Sequence, residues 1–175
     1  MFLSEIDQSE YQYFYGTYLR TLKETELLSL LKEGKDRFLQ VIQDTPDALW
    51  HHAYAEEKWT VAQVYQHIID TERVFQYRAF CFARKEKTPL PGFEQDDYVE
   101  AIKNTPLSKA QIIEEYSTVR NATIALFNSF SKEVLLQKGR ASNMPWSVGG
   151  TGFVICGHQQ HHQNILNERY FVSKD

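Results

Sequence analysis

Three histidines lie within five residues of one another near the C-terminus, in the stretch GHQQHHQNILNERY. His158 and His162 are four residues apart, which places both side chains on the same face of an α-helix. Two imidazoles one helical turn apart can bind one metal ion, whereas His161 points to a different side of the helix. The same spacing also fits a polar, solvated face, because no glutamate follows the first histidine as in the metalloprotease motif. Two ligands are too few for a stable site, so a metal centre here requires a third.

His67 is the candidate for the third ligand. It lies between Val64 and Thr71, on the inward side of a predicted helix. A histidine among apolar positions can also be a hydrogen-bonded core residue. If the second and fourth predicted helices are neighbours, however, His67 can meet the histidine pair inside the bundle, where facing helices build metal sites. His51 and His52 precede this helix in a polar stretch, and we expect them to be exposed and non-ligating.

Three neutral imidazoles leave at least one coordination position of a divalent ion open, which is typical of catalytic zinc sites rather than structural ones. Such an ion lowers the pKa of a bound water or thiol towards neutrality. Imidazole ligands also suit nickel, copper or iron, and the sequence does not choose among them. The outer ring nitrogens need hydrogen-bond acceptors. Asp70 and Glu168 are candidates for that role, although both could be ordinary surface charges.

Four segments have the apolar periodicity of amphipathic helices, and none shows convincing strand alternation. The first covers about Leu22 to Gln43, the second begins at KWTVAQ, the third at SKAQ, and the fourth covers about Ser147 to Tyr170. The second and third open with capping-box patterns, Thr60 with Gln63 and Ser108 with Gln111. The residues predicted to face the core are Leu27, Leu31, Phe38, Val41 and Ile42, then Val61, Val64, Ile68, Thr71, Phe75 and Phe82, then Ile112, Tyr116, Val119, Thr123 and Phe127.

The connection RKEKTPLPGFEQDDYVEAIKNTPL between the second and third helices is longer than a tight antiparallel turn requires. Its prolines and glycine end the helix, and a short helical piece is expected over Asp96 to Lys103. The predicted fold class is therefore all-α, a four-helix bundle with a long crossover between the second and third helices. The length of 175 residues fits one domain, residues 1–175.

Two other stretches leave alternatives open. Gly149, Gly150, Gly152 and Gly157 crowd the start of the fourth helix, where each costs up to about 1 kcal/mol relative to alanine. Either neighbouring backbone or a ligand comes close there, or WSVGGTG is still a loop. The aromatic stretch YQYFYGTYL is expected to cap the bundle, line a dimer contact or add to the core.

Composition and charge exclude several classes of protein. The net charge of −4 argues against a nucleic-acid surface. No apolar run is long enough for a membrane span, and the N-terminus lacks the features of a signal peptide. Cys81 and Cys156 are too few for a disulfide framework; they fit a reduced cytoplasmic chain in which both are small buried hydrophobes. We therefore expect a cytoplasmic protein without a nucleic-acid or membrane partner; the partner expected from the candidate metal site is a small-molecule substrate.

The chain resembles the DinB-like superfamily of bacterial proteins over essentially its full length. The resemblance is carried by KWTVAQVYQHIIDTERVFQYRAF, in which His67 is followed by Asp70 and Glu72, together with the GHQQHH ending. It implies a four-helix bundle, often a homodimer, with His67, His158 and His162 as ligands of zinc or nickel. Relatives in this superfamily include bacillithiol- and mycothiol-dependent transferases, a maleylpyruvate isomerase and metal-dependent hydrolases.

Three functions compete on these grounds. The leading interpretation is a metal-dependent enzyme for detoxification or stress that activates a small thiol, as a transferase, or water, as a hydrolase. Arg73, Arg78 or Arg84 could then hold the carboxylate of a thiol cosubstrate, or could simply lie at the surface. The second interpretation is a non-catalytic, stress-associated bundle in which the metal joins two helices. The third is a helical interaction domain without metal.

Overall fold

Four long helices carry the fold in the computed structural model, which describes residues 1–7, 9–10 and 14–172. The helices are α1 (Gly16–Leu19), α2 (Leu27–Asp44), α3 (Val61–Ala83), α4 (Gln95–Ala101), α5 (Lys109–Asn128), α6 (Lys132–Leu135) and α7 (Val148–Ile165). A hairpin of β1 (Lys138–Ala141) and β2 (Met144–Ser147) precedes α7. Short 3-10 turns occupy Leu3–Glu5 and Asp47–Leu49, and a π-helical turn, Leu166–Tyr170, continues α7. The long helices are α2, α3, α5 and α7, so the predicted all-α bundle is confirmed.

Side-chain caps fix where the long helices begin. The Thr60 hydroxyl accepts from the Gln63 amide at 3.3 Å, and the Gln63 side chain accepts from the Thr60 amide at 2.8 Å. Ser108 and Gln111 make the same reciprocal pair at the start of α5. Both predicted capping boxes are therefore present. Helix α2 begins at Leu27, later than predicted, because the Glu26 carboxylate caps it.

The helices are not arranged around the bundle in chain order. Helix α3 packs mainly against α7 and α5, and α2 packs mainly against α5 and α7. The consecutive helices α2 and α3 therefore lie diagonally across the bundle. The long crossover joins α3 to its neighbour α5 and contains α4, as the sequence predicts. Because α3 and α7 are neighbours, the condition for bringing His67 to the histidine pair is met.

The apolar core is divided into two parts by a polar layer. One part contains Leu31, Phe75, Phe127 and Phe153, and the other contains buried residues of the opposite helix ends: Phe38, Ile68, Tyr116 and Leu166. All predicted core positions of α3 and α5 are buried. Between the two parts, the middle of each long helix contributes a glycine or polar residues: Gly34, His67, Thr71, Glu72, Arg120, Thr123, His158 and Gln159. The functional residues therefore lie in the middle of the bundle, away from its ends.

The β-hairpin was not predicted from the sequence. Its strands have four residues each, and a two-residue turn joins them at Ser142 and Asn143, which have φ values of 51° and 61°. This geometry matches a tight type I′ turn, which usually carries Asn-Gly or Asp-Gly and is therefore hard to recognise in Ser-Asn. Ser147 ends β2 and also caps α7, accepting from the Gly150 amide at 2.8 Å. The hairpin consequently fixes the start of the histidine-bearing helix.

Of the aromatic stretch YQYFYGTYL, Tyr11, Gln12 and Tyr13 lie outside the described residues. Tyr18 and Leu19 are buried in the core, whereas Phe14 is exposed. This part of the stretch therefore packs onto the bundle as additional core. No described helix is both long and apolar enough to cross a lipid bilayer.

The glycines of α7 are helical and closely approached by other parts of the chain. Helix α7 begins at Val148, so VGGTG belongs to the helix and is not a loop. A Cβ at Gly152 would overlap the ring of Phe127, and a Cβ at Gly157 would overlap the backbone carbonyl of Tyr18. Close packing therefore accounts for these two glycines despite their cost in helix propensity.

We predict that Gly157→Ala and Gly34→Ala change stability in opposite directions. The added methyl group at Gly157 meets backbone that cannot move aside, so the free energy of unfolding should fall by about 1–3 kcal/mol. At Gly34 the nearest atoms are Arg120 Nη1 at 3.5 Å and Gln159 Nε2 at 3.6 Å, which is ordinary contact. The gain in helix propensity should raise stability there by up to about 1 kcal/mol. Urea unfolding measures both, and equal effects would contradict the packing at Gly157.

Candidate metal centre

The structure brings His67 of α3 together with His158 and His162 of α7. One ring nitrogen from each histidine lies within 4.8 Å of the other two. His67 Nε2 and His158 Nε2 lie 3.0 Å apart. The ring centroids are 4.9 Å apart for His67 and His158, 4.8 Å for His67 and His162, and 4.5 Å for His158 and His162. Three imidazoles thus converge from two helices.

Burial favours the neutral form of these rings. His67 and His158 are 2% and 3% exposed, and His162 is half-buried. Burial lowers the pKa of His67 to about 4, with a smaller contribution from His161. Burial also lowers the pKa of His158 and of His162, and the neighbouring imidazoles add to the effect. The ring nitrogens can therefore act as electron-pair donors at neutral pH without first losing a proton.

This donor set fits a divalent metal ion. Nitrogens bound at about 2 Å in a tetrahedral arrangement lie about 3.3 Å from one another, close to the His67–His158 separation. Neutral imidazoles are ligands for zinc, nickel, copper and iron. Within the described part of the chain, the three histidines are the group of His, Cys, Asp and Glu side chains with a suitable spacing. The cluster could hold an ion by three ligands.

Aromatic rings hold two of the imidazoles from outside the cluster. The Trp59 ring lies against His67, with centroids 4.8 Å apart, and the Tyr18 ring meets His158 edge-on at 5.2 Å. Trp59 is held in turn, because its carbonyl accepts from the Tyr170 hydroxyl at 2.8 Å. Neither aromatic contact was predicted from the sequence. Trp59 directly precedes the cap of α3, but nothing in the sequence marks it as a neighbour of His67.

The two carboxylates considered as partners of the imidazoles lie elsewhere. Asp70 accepts a hydrogen bond from Gln66 Nε2 at 3.0 Å, and burial raises the pKa of its carboxyl group. Glu168 is exposed, and its charge acts on His161, whose pKa it raises against the larger lowering effect of burial. His161 itself lies outside the cluster, as its helical position predicts. Among the described residues, neither carboxylate is therefore hydrogen-bonded to an imidazole of the cluster.

A buried hydrogen-bond network lies next to the histidines. The Arg120 guanidinium donates to both Glu72 oxygens, at 2.7 and 2.8 Å, and to Gln159 Oε1 at 2.8 Å. The Tyr116 hydroxyl also donates to Gln159 Oε1, at 2.7 Å, while Gln159 Nε2 donates to the Gly34 carbonyl at 3.1 Å. Four long helices thus contribute to one network. Glu72 and Arg120 fall on the inward sides of their helices, so the sequence does mark them as buried charges, but it does not indicate that they pair.

The arginines considered for a cofactor carboxylate take three different environments. Arg73 is exposed and pairs with Glu115 at 3.0 Å, and exposed Arg84 lies over the ring of Phe80. Arg78 is buried, so its alternative assignment to the surface is wrong. It donates to the Pro91 carbonyl at 3.0 Å and to Ser142 Oγ at 2.9 Å. These contacts join α3 to the crossover and the hairpin, and none of them involves the histidine cluster.

The remaining candidates lie apart from the histidine cluster. His51 is exposed, as predicted, whereas His52 is half-buried, with its ring 6.3 Å from that of Tyr170. Cys81 and Cys156 are free, buried thiols, as predicted. Burial raises the pKa of Cys156 to about 12, which disfavours the thiolate at neutral pH.

A cavity of about 660 Å³ gives access to the histidine cluster. Of the three clustered histidines, His162 lines it. Its other walls come from the segment before α3, the first turn of α3, the short helix α4 with Lys103 after it, the end of α7 and the π-helical turn. A small molecule entering this cavity would therefore reach the cluster at His162. The crossover shapes the space next to the site.

Fold and cluster together define a class: a non-sequential helical bundle with a candidate metal centre between two neighbouring helices. The model of the DinB superfamily matches residues 30–166, and the chain belongs to this superfamily. Among solved structures, Bacillus subtilis YfiT is similar, with a TM-score of 0.69 and 14% sequence identity over 81% of this chain and 82% of that chain. YfiT is described as a probable metal-dependent hydrolase with an unusual four-helix bundle topology. None of the curated proteins matches the sequence.

We predict that the Glu72–Arg120 pair contributes far more to stability than the exposed Arg73–Glu115 pair. Arg120→Met leaves the buried Glu72 carboxylate without its partner, so the free energy of unfolding should fall by about 3–5 kcal/mol. Arg73→Met breaks a pair whose arginine side chain is 54% exposed and should cost less than about 1 kcal/mol. Urea unfolding of both variants tests this. Similar losses in the two would contradict the role of the buried network.

We predict that the metal-free protein loses stability as the pH falls. An unfolded histidine has a pKa of about 6.5, whereas burial lowers the pKa of His67 to about 4 in the folded chain. Between these values the unfolded chain binds a proton that the folded chain does not. The free energy of unfolding should therefore fall as the pH drops below about 6.5, by up to about 1.4 kcal/mol per pH unit for this residue.

Urea unfolding after treatment with a chelator, repeated from neutral to mildly acidic pH, measures this slope. His67→Gln should reduce the slope, because it removes one of the buried groups that the unfolded chain protonates. His51→Gln changes an exposed histidine outside the cluster and should leave the slope unchanged. A stability that does not vary with pH in this range would show that the three rings are not buried in the neutral form.

Proposed function

We propose that this protein is a metal-dependent enzyme that uses a three-histidine site to activate water or a small thiol. His67, His158 and His162 are the proposed ligands of one divalent ion, with zinc or nickel expected. The observation that carries the proposal is the convergence of three neutral imidazoles, two buried and one half-buried, from α3 and α7 beside an open cavity. A divalent ion bound by neutral ligands lowers the pKa of a water or thiol in its open position.

The chain supports this chemistry in three ways. Burial keeps the imidazoles unprotonated, so they remain available as ligands at neutral pH. Trp59 and Tyr18 restrict the orientation of two rings, and the buried network beside them restricts the helices that carry them. The cavity leaves the His162 side of the cluster accessible to a small molecule. A site that only joined two helices would not need this access.

A hydrolase and a thiol transferase would use the same three ligands and would differ in the nucleophile. The cavity of about 660 Å³ has room for a second small molecule as well as for a water molecule, and it supports both versions. The non-catalytic bundle remains the second candidate. It is favoured by the direct contact of His67 with His158, which links α3 to α7 in the same way that a structural metal would.

The first experiment is elemental analysis of the purified wild-type protein beside His67→Ala, His158→Ala and His162→Ala. We expect close to one equivalent of zinc or nickel in the wild type and loss of most of it in each variant, because two ligands do not make a stable site. His161→Ala is the matched control, since it removes an imidazole of the same helix from outside the cluster. Wild-type protein that folds without metal and cannot be reloaded would overturn the proposal.

Turnover separates the enzyme from the non-catalytic bundle. The metal-loaded protein is offered ester and amide substrates with water, and electrophiles such as an epoxide or an alkyl halide with a low-molecular-weight thiol. The enzyme predicts turnover in one of these two sets and its loss in His67→Ala. The non-catalytic bundle predicts no turnover in either, together with a sharply lower melting temperature after metal removal. The homodimer, the cytoplasmic location and the single-domain organisation remain predictions.

A further inference from the structure

The cavity beside His162 has one wall that comes from a single face of the last helical segment. His162, Ile165 and Arg169 all line it, so these three residues share one face of the segment. Arg169 follows His162 by seven positions along the helix, which corresponds to a rise of about 10 Å. A molecule lying along this face could reach the histidine cluster at one end and a guanidinium at the other.

Part of the cavity wall is aromatic and apolar. Trp59, Val64, Ile165 and Tyr170 line it; Val64 and Tyr170 are buried and the other two are half-buried. The hydrogen bond from the Tyr170 hydroxyl to the Trp59 carbonyl holds the two aromatic residues in place. Surfaces of this kind bind flat apolar groups, because aromatic rings offer large rigid contact areas.

The π-helical turn presents Arg169 to the cavity. Turns of this kind are rare in proteins overall, and those that occur are often found at functional sites. The wider turn changes the direction of the side chains that follow. Arg169 Nη1 donates to the Tyr54 hydroxyl at 3.2 Å, and the guanidinium lies over the Tyr54 ring, 5.6 Å from its centroid. These contacts orient the planar group. Its other N–H donors make no hydrogen bond to a described residue and remain available to a ligand.

The formal charges of the residues that line the cavity cancel, with three cations and three anions. Lys103 and Glu100 pair with each other at 3.2 Å. Two cations, Lys58 and Arg169, and two anions, Glu57 and Asp96, also line the cavity without an ion pair to any described residue. A divalent ion on three neutral imidazoles would add two positive charges at the inner end. The loaded cavity would therefore carry an excess of positive charge and favour an anionic ligand.

We propose that the substrate is a small carboxylate with a flat apolar body about 10 Å long. The carboxylate binds Arg169, with Lys58 contributing positive charge, and the body lies against Trp59 and Tyr170. The reacting group then lies at His162. This assignment rests on the proposed function, because the metal ion supplies the positive charge at the inner end. The planar, oriented guanidinium suits a carboxylate because it can donate two parallel hydrogen bonds.

Three compounds of nearly equal shape test the charge of the ligand: trans-cinnamate, the neutral cinnamide and the cationic cinnamylamine. Their dissociation constants for the metal-loaded protein are measured by titration calorimetry, with acetate as a carboxylate that lacks the apolar body. Cinnamate should bind at least about 10-fold more tightly than each of the other three compounds. Equal or tighter binding of the amide or the amine, or no binding of cinnamate, would overturn the proposal.

Variants test where the carboxylate binds. Arg169→Gln should weaken the binding of cinnamate by about 10-fold or more, which is the loss expected for a charge-assisted hydrogen bond. The binding of cinnamide should not change. Lys58→Gln should weaken it less, because lysine is a mobile point charge. Arg73→Gln is the matched control, since this exposed arginine does not line the cavity. If Arg169→Gln binds cinnamate as tightly as the wild type, the carboxylate binds elsewhere and the assignment is wrong.

Metal content, measured on the same samples, keeps this proposal separate from the proposed function. Arg169→Gln should retain the metal, because Arg169 is not part of the histidine cluster. Retained metal without a preference for carboxylates overturns only the substrate assignment. Wild-type protein that cannot be loaded with metal overturns the proposed function. If that protein still binds cinnamate through Arg169, the carboxylate site exists independently of a metal ion.

Discussion

The rest of the structure depends on the buried polar layer formed by Glu72, Arg120 and Gln159. A guanidinium, a carboxylate and an amide in the middle of an apolar bundle must satisfy one another, because an unpaired buried charge is strongly unfavourable. Arg120 meets this requirement only when α3, α5 and α7 are all in register, and Gln159 extends it to α2 through the Gly34 carbonyl. The two apolar halves of the core could tolerate other registers, but this layer could not.

The same register determines whether the histidines meet. His158 directly precedes Gln159, and His67 lies five residues before Glu72, so the network and the cluster are parts of one layer. Each residue of an α-helix is rotated by about 100° from the previous one, so a slip of one residue would turn His67 away from α7. The ion pair therefore acts on the site at a distance, by fixing the relative positions of α3 and α7.

Much of this arrangement could be predicted from local pattern. The capping boxes, the inward stripes of α3 and α5, the short helix α4 and the candidate histidines all follow from residue spacing along a single helix. The hairpin could not be predicted, because its strands are short and Ser142–Asn143 is an unusual sequence for its turn. The partner of Arg120, the burial of Arg78 and the contact of Trp59 with His67 depend on which helices are neighbours. Residue spacing within one segment does not show which helices are neighbours.

The costs of this layer favour a bound group over a purely structural role. Neutral imidazoles packed against one another give up hydration, and the polar residues interrupt the apolar core that stabilises the rest of the bundle. Leucine at His67 and His158 would have a higher helix propensity than histidine and would remove the sensitivity to acid. A ligand that binds only the folded state offsets such a cost by mass action. A divalent metal ion would meet that requirement, because it accepts electron pairs from neutral imidazole nitrogens, and the cavity at His162 would leave one side of such an ion accessible.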